Sequence, residues 1–490
     1  MRSTRAIIAV LFVTLVVAAT PTGQEPTTVS LRDDPGVESA LRLVGSWLDA
    51  ERAYKQVPGL SVAIVHDQEI VWSHGFGYAD RERRVKATAK TLYSICSISK
   101  LFTSIGVMQL RDQGQLTLGD SPSRHLPWFN IEQTYPDRAP VTIRGMLTHS
   151  SGLPRESDFP YWSGPDFEFP TREQIMERVG QQQTLYPGDT YFQYSNLGLT
   201  LAGMIVAQVS GDPYDAYVTK NILEPLGLPD TKPDLTRALW GDRLATGYGA
   251  VQRDGTRAKL PFFQARGIVP AAGFSSTVDD LAAFASWQFR LLENGGEDIL
   301  HANTLREMHR VHWLDPDWET AWGLGFSVAR DGDTTFVGHG GSCPGYQTHL
   351  RLQTDSKIAT IVMANASGVD VGQYTARAFQ IVEPAISEAL KPDNRRKPLA
   401  PSLDKYTGTY SAQPWAGEIA VLHWKNSLAM LSLPTDDPVE GLQALRQTGA
   451  HQFHRVRDDG ELGEDVVFEM DASGTVTGFR RNSNVRPKID

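Results

Sequence analysis

The sequence predicts an α+β domain, strands flanking a helical middle, followed by a small all-β domain. Three observations predict it. β-rich runs sit near both ends of the first 390 residues, with helical stretches between them. A stretch rich in proline and charge, with no apolar period, then interrupts the chain. Beyond it, short β-like runs alternate with Asp-Gly and Ser-Gly turns. The 490 residues are 41% hydrophobic and 21% charged, which excludes wholesale disorder, collagen-like repeats and a polytopic membrane protein. A net charge of −10 without a basic patch excludes a nucleic-acid binder.

Taken in order, residues 1–19 read as a targeting segment. Arg2 and Arg5 precede an apolar run that ends Val17-Ala18-Ala19. That run has 14 residues. As a helix it would cover about 21 Å of a hydrocarbon core about 30 Å thick, so cleavage near Ala19 is expected rather than a stable membrane anchor. No Cys follows to carry a lipid, and the expectation is a secreted or periplasmic protein. Residues 37–53 form a helical pattern; 59–65 and 69–77 read as a hairpin around His66-Asp67-Gln68. Ser97 opens a helix carrying Leu101, Phe102, Ile105 and Met108, stopped by Gly114. A lobe over about 115–270 mixes long loops with helices at 172–183 and 197–209, and another helix follows at 279–292. Strands are expected at 323–329, 334–337, 346–353 and 357–365, and a helix at 374–390. These give a first domain over 20–390, a linker over 391–404, and an antiparallel β domain over 405–490, a barrel of lipocalin-like type or a sandwich. Its runs are 418–423, 429–433, 452–456, 466–470 and 476–480. There is no internal repeat.

Three motifs carry chemistry, and their order matters: Ser97-Ile98-Ser99-Lys100, Tyr194-Ser195-Asn196 and His339-Gly340-Gly341. On a helix, positions i and i+3 share a face, so the Lys100 amine can approach the Ser97 hydroxyl. Serine becomes nucleophilic when a neighbour takes its proton, and a lysine desolvated among apolar side chains favours the neutral amine that can do so. The pattern alone is weak, since Ser402-Leu403-Asp404-Lys405 matches it inside the linker. A Ser-x-x-Lys pair is most often a solvated surface pair, Tyr194 alone reads as a buried aromatic, and His339 alone as a core histidine. What sets Ser97 apart is the apolar helix behind it and the other two motifs downstream.

With these motifs the chain resembles the serine β-lactamase and penicillin-binding D,D-peptidase superfamily, on the side of class C enzymes and their esterase and D-peptidase relatives. Pro58-Gly59-Leu60-Ser61-Val62-Ala63, Leu147-Thr148-His149-Ser150-Ser151-Gly152-Leu153, Tyr186-Pro187-Gly188 and Gly273-Phe274-Ser275-Ser276-Thr277 resemble family signatures in the same order, over about 41–390. The resemblance implies a β-lactamase-like fold, an antiparallel sheet flanked by helices plus a helical lobe. It implies that Ser97 is acylated, that Lys100 and Tyr194 move protons, and that Asn196 binds the substrate amide. His339 and Gly341 would line the opposite wall, and the N–H groups of Ser97 and Ser342 would form the oxyanion hole. No cofactor is implied. Because Tyr-x-Asn lacks the acidic residue of class A enzymes, deacylation would use Tyr194 and Lys100. C-terminal β-barrels of relatives can shape the entrance to the cleft.

The third motif departs from the Lys-Thr-Gly of most such β-lactamases. Histidine near pH 7 is mostly neutral, so a substrate carboxylate loses a charge-assisted contact and strong β-lactamase activity is not expected. The resemblance also implies a bridge between the two cysteines, Cys96 and Cys343, by analogy with some carbapenem-hydrolysing class A enzymes; the alternative is two reduced, packed thiols. No Gly-x-Ser-x-Gly elbow or Gly-rich phosphate loop occurs, and the pairs His309/His312 and His451/His454 lack metal-binding context. The expectation is an exported serine hydrolase acting on a small peptide, amide or ester, foremost a peptide with a D-residue. A carboxylesterase or weak β-lactamase, and a penicillin-binding sensor that does not turn over, are the alternatives. Oligomeric state is left open.

Overall fold

The computed structural model describes residues 30–236, 238, 243–392 and 400–489. The expected targeting segment and part of the expected linker lie outside these. Among the described residues no helix is long and apolar enough to cross a membrane.

A nine-stranded antiparallel sheet organises the first domain. At its centre Gly59–His66 pairs with Ile358–Ala364, in the register Leu60 to Ala364. The chain thus closes the sheet between its first and last long strands. Outward from Ile358–Ala364 come Tyr346–Gln353, Thr334–Cys343 and Ser327–Asp331, and the first hairpin completes the other side with Glu69–Asp80. The central strands are buried on both faces and so read as continuous apolar runs. Their side chains still alternate. Leu60, Val62 and Ile64 face one core, which includes Val44 and Trp47 of helix Pro35–Tyr54 and Tyr374 of helix Val371–Ala389. Ala63 and Val65 face the other, shared with helices Ser99–Asp112 and Val278–Asn294.

Helix starts follow local chemistry. Asp34 caps Pro35–Tyr54 by accepting from the N–H groups of Gly36 and Val37 at 2.8 and 3.0 Å, with Pro35 at the first helical position. Thr171 and Gln174 form a capping box on Arg172–Val179.

The C-terminal domain is an eight-stranded antiparallel sheet running from Gly408–Tyr410 to Asn484–Pro487. Its ends meet: Ser411 N–H donates to Pro487 O and Ile489 N–H to Thr409 O, both at 2.8 Å. Tyr406, Tyr410, Phe453, Phe468 and Phe479 belong to the buried core of this domain. Alternation recurs here. Ile419 and Val421 point inward, whereas Ala420 and Leu422 join the core around Trp47. The expected linker contains structure, because Pro401–Tyr406 is a 3₁₀ helix whose Leu403 and Tyr406 belong to the barrel core.

The barrel docks on helix Pro35–Tyr54. Trp47 Nε1 donates to Thr435 O at 2.8 Å, Glu51 accepts from Thr435 N–H at 3.1 Å, and Arg377 pairs with Asp437 at 2.8 Å. This contact lies on the face of the sheet opposite helix Ser99–Asp112, not beside the motif residues.

Candidate active site

Ser97 does not open the α-helix. It sits in a 3₁₀ turn, Cys96–Ile98, that runs into helix Ser99–Asp112, so Lys100 falls in that helix's first turn. Cys96 has a φ of 49°, a left-handed conformation that costs on the order of 1–3 kcal/mol in a non-glycine residue and needs outside support. The support is covalent: Cys96 is bonded to Cys343, with Cα atoms 5.8 Å apart. The strand carrying the third motif is thereby fastened to the turn carrying Ser97. Gly341 makes that approach feasible. A Cβ there would collide with the Ile95 carbonyl and the Thr348 side chain, and Thr348 Oγ1 donates to that same carbonyl at 3.1 Å.

Lys100 is fully buried. Its Nζ lies 3.0 Å from Ser97 Oγ, 2.8 Å from Asn196 Oδ1 and 2.7 Å from the Ala271 carbonyl. Burial pushes its pKa well below the ordinary lysine value; Glu156 opposes this and Arg155 adds to it. The two carbonyl oxygens can only accept, so a neutral amine gives them both of its hydrogens. In that neutral form its lone pair is left for Ser97, the arrangement in which an amine can take the hydroxyl proton. Burial raises the pKa of Tyr194, with Ser97 acting in the opposite sense, so the phenol holds its proton. Burial thus favours the uncharged form of both groups, amine and phenol.

The middle residue of the second motif builds the site rather than joining its chemistry. Ser195 Oγ caps helix Asn196–Ser210 by accepting from Gly198 N–H at 2.9 Å, and donates to Pro154 O at 2.6 Å. Tyr194 is held just before that cap and Asn196 just after it. Asn196 is engaged at both ends, its Oδ1 by Lys100 and its Nδ2 by Glu156 Oε1 at 2.8 Å. The sequence assigns it to substrate; the structure gives it intramolecular partners. His339 is 3% exposed, and its Nδ1 lies 2.6 Å from Gly340 O. Burial pushes it down to about 3, so its ring is neutral. Ser342 is exposed and accepts from Gln347 Nε2 at 2.9 Å.

Sequence reasoning gave no role to four residues that border this cluster. Trp322 lies between His149 and His339, with ring centroids 5.0 and 5.4 Å away. The His149 ring is 4.1 Å from that of Tyr194, and its Nδ1 accepts from Ser195 N–H at 3.1 Å. Arg155 and Glu156 follow directly on the Gly152-Leu153-Pro154 run, and that adjacency is the one signal they offered. Among the described residues no group of three or more His, Cys, Asp or Glu is placed to hold a metal ion. His309 bonds Gln288 and His312 bonds a main-chain carbonyl instead.

The Ser97 turn, the buried Lys100 and the Tyr194-Ser195-Asn196 segment, set beside this sheet, are the arrangement of a β-lactamase-type hydrolase fold. The beta-lactamase family profile matches residues 46–382, and the chain belongs to that family. It is 27% identical over 429 residues to Beta-lactamase-like protein 2 of Dictyostelium discoideum, covering 82% of this chain and 76% of that one. Among solved structures, the octameric penicillin-binding protein homologue from Pyrococcus abyssi superimposes with a TM-score of 0.62 at 24% identity, over 91% of this chain and 99% of that one. The D-amino acid amidase from Ochrobactrum anthropi SV3, complexed with L-phenylalanine amide, gives 0.58 at 26% identity, over 71% and 97%.

Proposed function

We propose that the protein is an exported serine hydrolase that cleaves small amides or esters through an acyl-enzyme on Ser97, its foremost substrates being amides and peptides of D-amino acids that carry no charge on the leaving side. The observation that carries this reading is the fully buried Lys100 amine, 3.0 Å from Ser97 Oγ. Lys100 takes the hydroxyl proton as Ser97 Oγ attacks the substrate carbonyl carbon. The N–H groups of Ser97 and Ser342 steady the oxyanion, each such donor contributing about 2.7–4 kcal/mol. As the tetrahedral intermediate collapses, the C–N or C–O bond breaks, and the leaving atom takes a proton relayed from Lys100 through Tyr194. Water then attacks the ester, giving one proton to the same pair, and Ser97 recovers its hydrogen as the acid departs.

Two further observations support the substrate class. His339 is neutral where a cation would meet a substrate carboxylate, which favours an uncharged amide or ester on the leaving side. The likeness to a D-amino acid amidase supports the D-residue on the acyl side. The same neutral wall supports a carboxylesterase as the second reading. The Cys96–Cys343 disulfide supports export, since such bonds persist in oxidising compartments. The test is a substrate panel of short-chain p-nitrophenyl esters, D- and L-alanyl amides, D-alanyl-D-alanine peptides and nitrocefin, each with Ser97→Ala as control. D-alanyl amides turned over faster than their L-forms and than peptides ending in a free carboxylate support the reading. Preference for free-carboxylate peptides or nitrocefin overturns it.

A further inference from the structure

We propose that Arg155 and Glu156 are positioning residues for the acylation chemistry, Glu156 fixing which end of Asn196 meets the Lys100 amine and Arg155 holding a cation against the Tyr194 ring. This rests on the reading of Ser97, Lys100 and Tyr194 given above.

The segment 154–156 is hydrogen-bonded to Ser195, Asn196 and Leu197. Pro154 O accepts from Ser195 Oγ at 2.6 Å, and Arg155 O accepts from the N–H groups of Asn196 and Leu197 at 2.8 and 3.2 Å. Glu156 Oε1 accepts from Asn196 Nδ2 at 2.8 Å. A carboxylate has no hydrogen to give, so it claims the amide nitrogen and turns Oδ1 toward Lys100. Without it, the asparagine could flip and offer the amine an N–H, which would bind the lone pair that Ser97 needs. Glu156 Oε2 is held in turn by the Tyr161 hydroxyl, and Tyr161 is buried against Trp162 and Phe169, with centroids 5.1 and 5.0 Å away.

Arg155 takes the other side. Its Nε lies 3.3 Å from Glu156 Oε1, and its guanidinium carbon is 4.9 Å from the Tyr194 ring centroid. Lys100 Nζ is 4.9 Å from the same centroid. A permanent cation this near disfavours a second charge on Lys100 and favours a negative one on the phenol oxygen, the two conditions that help proton withdrawal from Ser97. Glu156 acts on Lys100 in the opposite sense. The remaining titratable groups facing the pair are His149, from the loop after helix Ile143–Leu147, and His339, from strand Thr334–Cys343. Burial keeps both neutral, so neither contributes charge near neutral pH.

The experiment is the pH profile of kcat/KM for p-nitrophenyl acetate, with the full chain as wild type, Arg155→Met, Arg155→Lys and Glu156→Gln. Arg155→Met removes a cation that disfavours the ammonium and should move the acid limb up, by less than about one unit because the guanidinium acts from across the Tyr194 ring. Arg155→Lys should leave the limb close to wild type. Glu156→Gln keeps an acceptor for Asn196 but loses the charge, and should move the limb down. Arg155 is 58% exposed, so the wild-type to Arg155→Met difference should shrink in high salt. Limbs that stay in place, or move the same way in both variants, overturn the proposal even if kcat falls. Should Glu156→Gln fail to fold, the contrast of Arg155→Met with Arg155→Lys decides alone. Activity surviving in Ser97→Ala would instead defeat the underlying reading, whatever the limbs do.

Discussion

The chain contains one four-residue pattern in two places, and the two behave differently. Ser97 and Lys100 lie at the start of an apolar helix, with the lysine wholly buried among neutral partners. Ser402 and Lys405 lie in the 3₁₀ helix Pro401–Tyr406, both exposed, with the ammonium 5.0 Å from the Tyr406 ring. The spacing is shared; the solvent is not. Burial removes water from one amine and so makes it a base, while the other keeps its hydration and does no more than rest on an aromatic face. What separates the two copies of this pattern is therefore the apolar packing around the amine, which the four letters do not contain.

The sharpest way to break this contrast is to delete each serine. Ser97→Ala should lower kcat by about 10⁶-fold, the scale on which loss of a nucleophile acts, while Ser402→Ala should leave it within twofold. Steady-state assays on both variants check this. Lys100→Arg comes next. A guanidinium stays charged and cannot accept the proton, so kcat/KM should fall by about 10²–10⁴-fold. Lys405→Arg should change nothing measurable.

A pH profile sharpens the contrast further. The folded pKa of Lys100 lies below its ordinary value, so the amine stays neutral as pH falls until that lower pKa is reached. Below it the ammonium forms, and kcat/KM should drop about tenfold per unit. His339 is pushed down to about 3, so His339→Gln should leave the position of that limb unchanged. The smallest effect on catalysis is expected on the barrel side. Trp47 is fully buried, packs edge-on to Tyr374 at 5.5 Å and bonds Thr435 across the domain contact. Trp47→Ala should lower stability by about 3–5 kcal/mol in urea denaturation, with kcat per titrated site unchanged.

Much of this was legible in the sequence because it rests on local chemistry. Strands 346–353 and 452–456 were read with the bounds observed, and the hairpin at 59–77 and the helices at 37–53 and 197–209 were found within a few residues. The reading stopped one strand at 337, before Gly338, His339, Gly340 and Gly341, because glycines read as a turn. The strand in fact runs on to Cys343, and Gly341 is there so that backbone can press against Ile95. Strands Leu442–Gln447 and Asn484–Pro487 were missed, being short and only half apolar. The bridge between Cys96 and Cys343 was expected from the resemblance and is present. Arg155, Glu156 and Trp322 were invisible for another reason. Glu156 meets Asn196 across 40 residues, and nothing in either neighbourhood announces the contact.

Labelling with a fluorophosphonate, followed by peptide mapping, tests the central claim most directly. The account predicts a single adduct on Ser97, formed at a rate that follows the neutral fraction of Lys100 and collapses in Lys100→Arg. An adduct on Ser402 or another serine, or undiminished labelling of Ser97 in Lys100→Arg, would contradict it.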